Sequence, residues 1–450
     1  MDNVSDGEIL RRDGYWPSSP VVGRRGAQTR RRIVAETLKL FETHGFHGTS
    51  VESIAKAAGT SRATLYQYFG SKEQIFVELL DECGAALMRV VRRLGPLGPT
   101  AEGFDNLHWW LGEWAWVYDR YATMFVQWAN IDTPGTAVQP MVLGFVRSYN
   151  SRIASRLASS GVEDMDPDTA SLALTSLVHR FNYFRHRGNV PLPSLDEATD
   201  GLAVAMQLML FPDTPSEVFV QLPPVRSRPA LRPVADPVEI APAPELSARA
   251  AATVGDIVAA GARLFAERGY HGTGVDDLVT EAGFARATFY KYFDDKLDLL
   301  RRLSTEARVI SAGLAERLAA LELTGDEAAD RTALRAWLAD FVPFHRHYVG
   351  VFRSWVEGGL TDPDLVAAAE RSNSAVHAAA VRLLMQVERD YPLDLDVAAG
   401  VFVAVLDRMP DAVLETGPDA SNDAIVDLML DAIMRGLLNG HVVARPSVTS

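Results

Sequence analysis

The chain has 450 residues, 48% of them hydrophobic, and a formal net charge of −14. This length and apolar content predict two or more domains with sizeable cores, and the negative charge argues against unspecific polyanion binding by the whole surface. A single cysteine, Cys83, excludes an internal disulfide, and the sequence has neither a bilayer-spanning apolar run nor the apolar core of a signal peptide. We therefore expect a soluble, cytoplasmic protein in which DNA binding would need a local basic face.

A basic segment follows a tail, residues 1–23, that we expect to be flexible. It contains five arginines in nine residues with no acidic residue among them: Arg24, Arg25, Arg30, Arg31 and Arg32. Such a segment is either a solvated arm or a set of phosphate contacts, and its position directly before an internal repeat favours phosphate contact. Apolar residues at helical spacing over residues 28–44 predict a first helix, which Gly45 ends.

The internal repeat relates residues 41–72 to residues 265–296, which align without a gap at an offset of 224. Fifteen of the thirty-two aligned positions are identical. Self-similarity at a fixed spacing indicates an architecture in which one unit is built twice.

Capping patterns predict the next helices of the first copy. Thr49, three residues before Glu52, forms a capping-box pattern that opens a second helix over residues 51–58. Ser61 can cap a third, short helix, Arg62 to Phe69. Another capping box, Ser71 with Gln74, opens a fourth helix whose first residue, Lys72, can reach a phosphate.

The third helix is predicted to present a polar face outward. Leu65 and Phe69 lie four residues apart and should face the core. The remaining side chains, which include hydrogen-bond donors and aromatic hydroxyls, point away from it: Arg62, Ala63, Thr64, Tyr66, Gln67 and Tyr68. A short helix of this kind suits the DNA major groove, although a plain helical hairpin would give a similar pattern in a single copy.

The two copies resemble the DNA-binding domain of the TetR family of bacterial regulators. The resemblance is carried by GTSRATLYQYFGSK at residues 59–72, which is similar to the family's recognition helix and following turn, and by its recurrence as ARATFYKYFDDK at residues 285–296. The DNA contacts that it implies in the first copy are Arg24, Arg25, Arg30, Thr49, Thr60, Ser61, Arg62, Ala63, Thr64, Tyr66, Gln67, Tyr68 and Lys72. Those in the second copy are Thr273, Ala285, Arg286, Ala287, Thr288, Tyr290, Lys291, Tyr292 and Lys296.

The resemblance implies an all-α protein made of two TetR-like halves that pair within one chain as a pseudo-dimer. Each half has an N-terminal three-helix DNA-binding domain and a helical body for ligand binding and dimerisation, and the last two helices of each body enter a four-helix bundle. The expected segments are a tail at 1–23, domains at 24–72 and 73–211, a proline-rich linker at 212–244, domains at 245–296 and 297–440, and a tail at 441–450.

The bodies repeat an aromatic stripe at an offset of 227, with Trp110, Trp114, Tyr121, Phe125 and Trp128 recurring as Trp337, Phe341, Tyr348, Phe352 and Trp355. Such spacing is typical of a packed core. Residues that differ between the copies are better candidates for contacts to a small hydrophobic effector, namely Trp109, Trp116 and Tyr118 against Ala336, Pro343 and His345. The candidate pocket residues are Trp109, Trp110, Trp114, Tyr118, Phe125, Trp337, Phe341, His345 and Phe352.

N-terminal capping patterns also predict where two later helices of the first half begin. Asp166 before Pro167 predicts one helix start, and Ser194 with Glu197 predicts another. His179 and His186 lie in this region, but no second ligand at metal-site spacing accompanies them, so we expect neither a metal nor a cofactor.

The predicted recognition helices of the two copies, which we call the reading helices, differ in their caps and in one exposed side chain. Ser61 becomes Ala285, so the second helix loses its hydroxyl cap, whereas Asp295 in place of Ser71 can still cap the helix that follows. Gln67 becomes Lys291, which exchanges an amide suited to adenine for a cation suited to guanine or phosphate. We expect a repressor that binds an operator with unlike half-sites and is released by a small, mostly apolar ligand.

Two alternatives remain open at the level of the sequence. In one, only the first copy binds DNA and the second half is a structural or interaction module. The other is an enzyme, but we find no glycine-rich phosphate loop, nucleophile elbow or metal-ligand cluster. We expect no enzyme, no membrane partner, and a monomer that acts as an internal pseudo-dimer, and whether two chains pair on DNA stays open.

Overall fold

The computed structural model describes residues 24–127, 138–162, 165–225, 231–234, 246–356, 362–417 and 419–442. The regular elements in these ranges are helices, apart from a two-residue antiparallel ladder that pairs β1 (Val387–Glu388) with β2 (His441–Val442). The prediction of an all-α protein is therefore confirmed. No helix within the described ranges combines the length and apolar character that crossing a membrane requires.

The predicted tail at 1–23, residues 226–230 and 235–244 of the predicted linker, residues 443–450 of the other predicted tail and Trp128 lie outside the described residues. The nine prolines of residues 212–244 predict an extended linker without a helix, and this prediction is wrong at Ser216–Phe219, which forms a 3-10 turn. Phe219 is fully buried, with its ring centroid 5.1 Å from that of Phe104 and 5.6 Å from that of Tyr391. Burial of this side chain explains why the beginning of the linker is folded.

The chain folds as two compact units, and the first includes the described residues of 24–94 and 113–152. Its helices are α1 (Arg24–Gly48), α2 (Val51–Ala57), α3 (Arg62–Tyr68), α4 (Lys72–Arg93), the end of α5 (Ala101–Gln127) and most of α6 (Val138–Ala158). Helix α1 packs against α2 and α4, and α2 packs against α3. The core of this trihelical arrangement is apolar and fully buried: Ile33, Phe41, Ile54, Leu65 and Phe76.

The second unit includes the described residues of 95–112, 153–356 and 362–442. It contains α7 (Pro167–Arg187), α8 (Leu195–Leu210), α9 (Ala248–Arg268), α10 (Val275–Ala282), α11 (Arg286–Tyr290), α12 (Lys296–Ala319), α13 (Glu327–Val356), α14 (Pro363–Leu384), α15 (Leu395–Thr416) and α16 (Asn422–Gly436). Helices α9, α10 and α11 repeat the trihelical arrangement of the first unit, and α9 also packs against α13.

Four helices of the second unit form a bundle that we call the seam: α7, α8, α15 and α16. Helix α15 packs along α7, and α16 packs along α8. Twelve of the sixteen residues of α8 are buried, whereas a helix on the surface of a lone half would bury only one stripe. The last two helices of the first half are thus enclosed by the last two of the second.

Most of the predicted helix starts carry the expected caps. Asp166 accepts a hydrogen bond from Thr169 N at 3.0 Å, with Pro167 at the first helical position, and Ser194 and Glu197 form a capping box. The capping box predicted at Thr49 is wrong, because Ser50 caps α2 and accepts from Ser53 N at 3.0 Å.

Glycine at position 350 sets the distance between α13 and α9. A Cβ atom there would lie 2.6 Å from Ala266 N, in the backbone of α9. We therefore expect Gly350→Ala to lower the free energy of unfolding by about 1–3 kcal/mol, because backbone cannot move aside as a side chain can. The matched control is Gly313→Ala on α12, where a Cβ meets nothing within 4 Å and the change should stabilise by about 0.5–1 kcal/mol. Thermal unfolding followed by circular dichroism measures both, and equal shifts would contradict this account.

Candidate nucleic-acid interface

In each three-helix domain, a buried threonine stabilises the turn between the first and second helices. Thr49 is 2% exposed, and its hydroxyl donates to Leu40 O at 3.2 Å and Gly45 O at 2.7 Å. Thr273 makes the same contacts to Leu264 O at 3.2 Å and Gly269 O at 2.9 Å. The predicted DNA contacts at Thr49 and Thr273 are therefore corrected, because both hydroxyls are turned into the protein.

The glycines in these turns adopt a backbone conformation that other residues avoid. Gly45 and Gly269 both have φ of 70°. A side chain there would be strained, so glycine is required at the kink that Gly45 makes near the end of α1 and at Gly269, where α9 ends.

The lysine at the start of the fourth helix is also turned inward. Lys72 Nζ donates to Phe46 O at 2.7 Å and Thr49 O at 2.9 Å, and it lies 4.2 Å from the centroid of the Phe46 ring. Lys296 repeats this with Tyr270 O at 2.6 Å and Thr273 O at 2.7 Å. Partial burial lowers the pKa of both lysines. The structure thus places these ammonium groups on carbonyls of the turn, and the prediction of phosphate contacts is corrected to a positioning role.

Arg30 does not belong to an exposed arm. It is 6% exposed, forms a bidentate ion pair with Glu78 of α4, and lies with its guanidinium 4.5 Å from the Phe69 ring centroid. A buried guanidinium needs such a partner, so its predicted phosphate contact is wrong. Arg25, Arg31 and Arg32 are exposed on α1, and the side chain of Arg24 lies outside the described residues.

The first reading helix, α3, is oriented as its sequence predicts. Leu65 and Phe69 are buried, and Ser61 caps the helix by accepting from Thr64 N at 3.0 Å. Of the predicted contacts, the exposed ones are Ser61, Arg62, Ala63 and Gln67, and the half-buried ones are Thr60, Thr64, Tyr66 and Tyr68. The Arg62 guanidinium reaches the Tyr66 hydroxyl at 3.4 Å, which aligns both donors along one edge of the helix.

The second reading helix, α11, is shorter and its cap is missing. It ends at Tyr290, and Ala285 at its start makes no side-chain hydrogen bond, which confirms the predicted loss of the hydroxyl cap. Phe289 and Phe293 take the buried positions. Of the DNA contacts predicted for this copy, the exposed ones are Ala285, Arg286, Ala287, Tyr290 and Lys291, and the half-buried ones are Thr288 and Tyr292. Asp295 caps the helix that follows, as predicted, and accepts from Asp298 N at 2.8 Å.

An acidic residue that the sequence analysis missed lies against the second reading helix. Arg286 Nη1 donates to both carboxylate oxygens of Asp276, at 2.7 and 2.9 Å, and Arg286 Nη2 donates to the Tyr290 hydroxyl at 3.3 Å. These hydrogen bonds to Tyr290 and Asp276 raise the pKa of Arg286. Asp276 aligns with Glu52 in the repeat, so a comparison of charges between the copies could have found it.

The two DNA-binding domains differ in charge. Residues 24–79 hold nine basic and five acidic side chains, a net charge of +4, whereas the aligned residues 248–303 hold eight of each. Phosphate contacts supply most of the sequence-independent part of DNA affinity. The first domain therefore has the more favourable electrostatics for DNA.

The candidate pocket residues are mostly core. In the first half, Tyr118 stacks between Trp114 and Phe125, with ring centroids 5.6 and 4.7 Å apart. Trp110 is fully buried, Trp109 is half-buried, and Trp116 is 57% exposed, so the suggestion that Trp116 lines an internal pocket is wrong.

The second half packs its candidates in the same way. Trp337 stacks on Phe341 at 5.5 Å and donates through Nε1 to Leu314 O at 2.9 Å. His345 is buried between Phe341 and Phe352, and this burial lowers its pKa. Two clefts, of about 340 and 980 Å³, lie beside the beginning of the linker, and the candidate aromatic residues line neither of them. Among the described residues, no group of three His, Cys, Asp or Glu side chains is arranged to hold a metal ion.

The caps of the reading helices give a matched pair of variants. Ser61→Ala should destabilise the first domain by about 1 kcal/mol, since it removes the acceptor for Thr64 N, and Ala285→Ser should stabilise the second by a similar amount. Thermal unfolding measures stability, and binding to operator DNA should change in the same direction in each variant. Shifts of the same sign in both variants would contradict the assignment of these residues as caps.

Comparison with known proteins identifies the two domains. The sequence profile described as "Bacterial regulatory proteins, tetR family" matches residues 33–79 and 257–303. The mycofactocin biosynthesis transcriptional regulator MftR of Mycobacterium tuberculosis is 44% identical over 59 residues, which are 13% of this chain and 30% of that protein. The biofilm operon negative transcriptional regulator IcaR of Staphylococcus aureus is 26% identical over 128 residues, which are 28% of this chain and 66% of that protein.

Solved structures are similar to parts of the chain. PfmR, a TetR family regulator from Thermus thermophilus, is 23% identical with a TM-score of 0.32, covering 40% of this chain and 97% of that one. NalD, the secondary repressor of a multidrug efflux pump in Pseudomonas aeruginosa, is 24% identical with a TM-score of 0.34, covering 41% and 96%. From the two profile matches and the geometry of the two reading helices, the chain belongs to the TetR family and carries its DNA-binding domain twice.

Proposed function

We propose that this TetR-family regulator is a repressor whose two halves act as an internal pseudo-dimer. The observation that carries this proposal is the seam, in which α7 and α8 of the first half are enclosed by α15 and α16 of the second. In the family's homodimers the equivalent helices come from two subunits, so a single chain here supplies both. Repression is supported by the similarity to IcaR, a negative regulator by name.

The operator has unlike half-sites, and the first domain binds the more tightly. The capped helix α3, the exposed arginines of α1 and the net charge of +4 support this order of affinity. Gln67 against Lys291 provides different donors for base edges, since an amide pairs well with adenine and a cation with guanine.

A small, mostly apolar ligand releases the DNA. It binds in one or both helical bodies, and it shifts the fourth helix of that half, α4 or α12, which begins directly after the reading helix. A ligand that prefers the shifted state lowers DNA affinity by linkage. The protein has no catalytic role in this scheme.

The main alternative is that only the first domain reads DNA. It is favoured by the pairing of Arg286 with Asp276 and by the net charge of zero in the second domain. It is opposed by the retained polar residues of α11, among them Tyr290, which is 48% exposed.

Removal of the Asp276 charge tests whether the second domain works. If both domains read DNA, Asp276→Asn should free Arg286, tighten binding several-fold and steepen the salt dependence by about one unit. Glu281→Gln is the matched control, because it removes an equal charge from the same helix, α10, but from a pair with Arg263 of α9 and not with a residue of α11. Fluorescence anisotropy over a salt series measures both, and equal effects of the two changes would favour the alternative.

Footprinting combined with light scattering tests the whole proposal. On DNA upstream of the protein's own gene, one chain of 49.2 kDa should protect two arms unequally. A perfect palindrome with equal protection would contradict unlike half-sites. A two-chain assembly of about 98 kDa as the sole DNA-competent species would contradict the internal pseudo-dimer.

A further inference from the structure

The seam places equivalent helices of the two halves against each other. Asp166 and Asp394 cap α7 and α15, which aligns these helices at an offset of 228. Ser194 and Ser421 cap α8 and α16, which aligns that pair at an offset of 227. With this alignment, each residue at the seam can be compared with its equivalent in the other half.

One pair of equivalent residues meets directly, and the two differ greatly in size. Met209 of α8 is equivalent to Gly436 of α16, and Met209 is 1% exposed. A Cβ atom on Gly436 would lie 2.9 Å from Ala205 O and 3.3 Å from Met209 Cβ. The absent side chain at position 436 therefore makes room for the large one at 209 and for the backbone of α8.

A second contact across the seam pairs charges that two copies of the first half could not provide. Arg180 Nε of α7 lies 2.7 Å from Asp407 Oδ2 of α15. The residue equivalent to Arg180 is Arg408, and the residue equivalent to Asp407 is His179. Arg408 pairs with Glu415 of its own helix, at 2.7 and 2.9 Å. Asp407 is thus the acid that faces Arg180 across the seam, and the first half has no acid at that position.

The same contacts made between two copies of one half would be worse. Two first halves would set Met209 against Met209 where the present spacing has no room for a Cβ, and would place His179 opposite Arg180. Burial and the neighbouring Arg180 and Arg408 hold the pKa of His179 well below its ordinary value, so a neutral ring would replace the carboxylate. Two second halves would keep an arginine opposite Asp407, because Arg408 would take the place of Arg180. They would, however, set Gly436 against Gly436 and leave a cavity where Met209 packs.

We propose that the seam selects the unlike half as its partner, through the fit of Met209 to Gly436 and the pairing of Arg180 with Asp407. The inference rests on the proposed pseudo-dimer and adds its partner specificity. Covalent fusion is then not what decides the pairing, and halves freed from the linker still assemble one to one, first with second.

The test uses the full chain with a protease site inserted at residues 226–230 and cut after folding. Native mass spectrometry then identifies each assembly, because the two halves differ in mass. The cut protein should give only the one-to-one complex of unlike halves. Complexes of two first halves or of two second halves at comparable abundance would overturn the proposal.

Variants at the two seam positions locate the specificity. Gly436→Met should weaken the association of the cut halves by roughly tenfold or more, because it places a side chain where there is no room. Adding Met209→Gly to it removes the contact with the Met209 side chain but not the one with Ala205 O, and it should therefore restore part of the association. The control Gly313→Met adds the same side chain at an exposed site on α12 and should leave association unchanged. Normal association of Gly436→Met, or no recovery in the double variant, would contradict the role of this pair.

A parallel exchange tests the charges. Asp407→Arg should weaken association, and Arg180→Asp added to it should recover part of the loss. Helical content by circular dichroism separates misfolding from loss of pairing. Failure of the uncut chain to bind DNA, with normal pairing of the halves, would count against the proposed function and leave the seam specificity standing.

Discussion

Enclosure of α8 within the seam is the constraint on which the second unit depends. A helix buried over most of its surface cannot be stable at the edge of a lone half, since its apolar side chains would face water. The first half therefore contributes its last two helices to a core that the second half completes. This is why the boundary between the compact units falls inside the first half and not at the linker.

The two reading domains share a frame and differ in charge and capping. Glycine at φ of 70°, an inward threonine and an inward lysine hold the turn in both. On this frame the first domain carries a capped helix and excess positive charge, and the second carries an uncapped helix beside Asp276.

The sequence predicted interactions between residues close together in the chain better than interactions between residues far apart in it. The resemblance to the TetR family implied the all-α fold, and the caps at Asp166, Ser194 and Asp295 follow from local spacing; these predictions are confirmed. The direction in which a cation points was not predictable, since Arg30 pairs with an acid 48 residues away and Lys72 with a carbonyl 26 residues away. Helical periodicity predicted which aromatic residues of the bodies are buried, but conservation of the stripe between halves did not distinguish a ligand pocket from a core.

The inward lysines also change which positions of the repeat carry information about DNA sequence. Lys72 and Lys296 are the same residue because each donates hydrogen bonds to carbonyls of its turn, so their identity says nothing about the operator. The same holds for the paired threonines and glycines of the turns. The identity of the two domains at these positions therefore reflects what the fold requires and does not indicate a shared base preference. Between residues 60–70 and 284–294, the aligned positions that differ and are not buried are Thr60 and Phe284, Ser61 and Ala285, Gln67 and Lys291, and Gly70 and Asp294. Under the proposed function, these are the positions that would distinguish one half-site from the other.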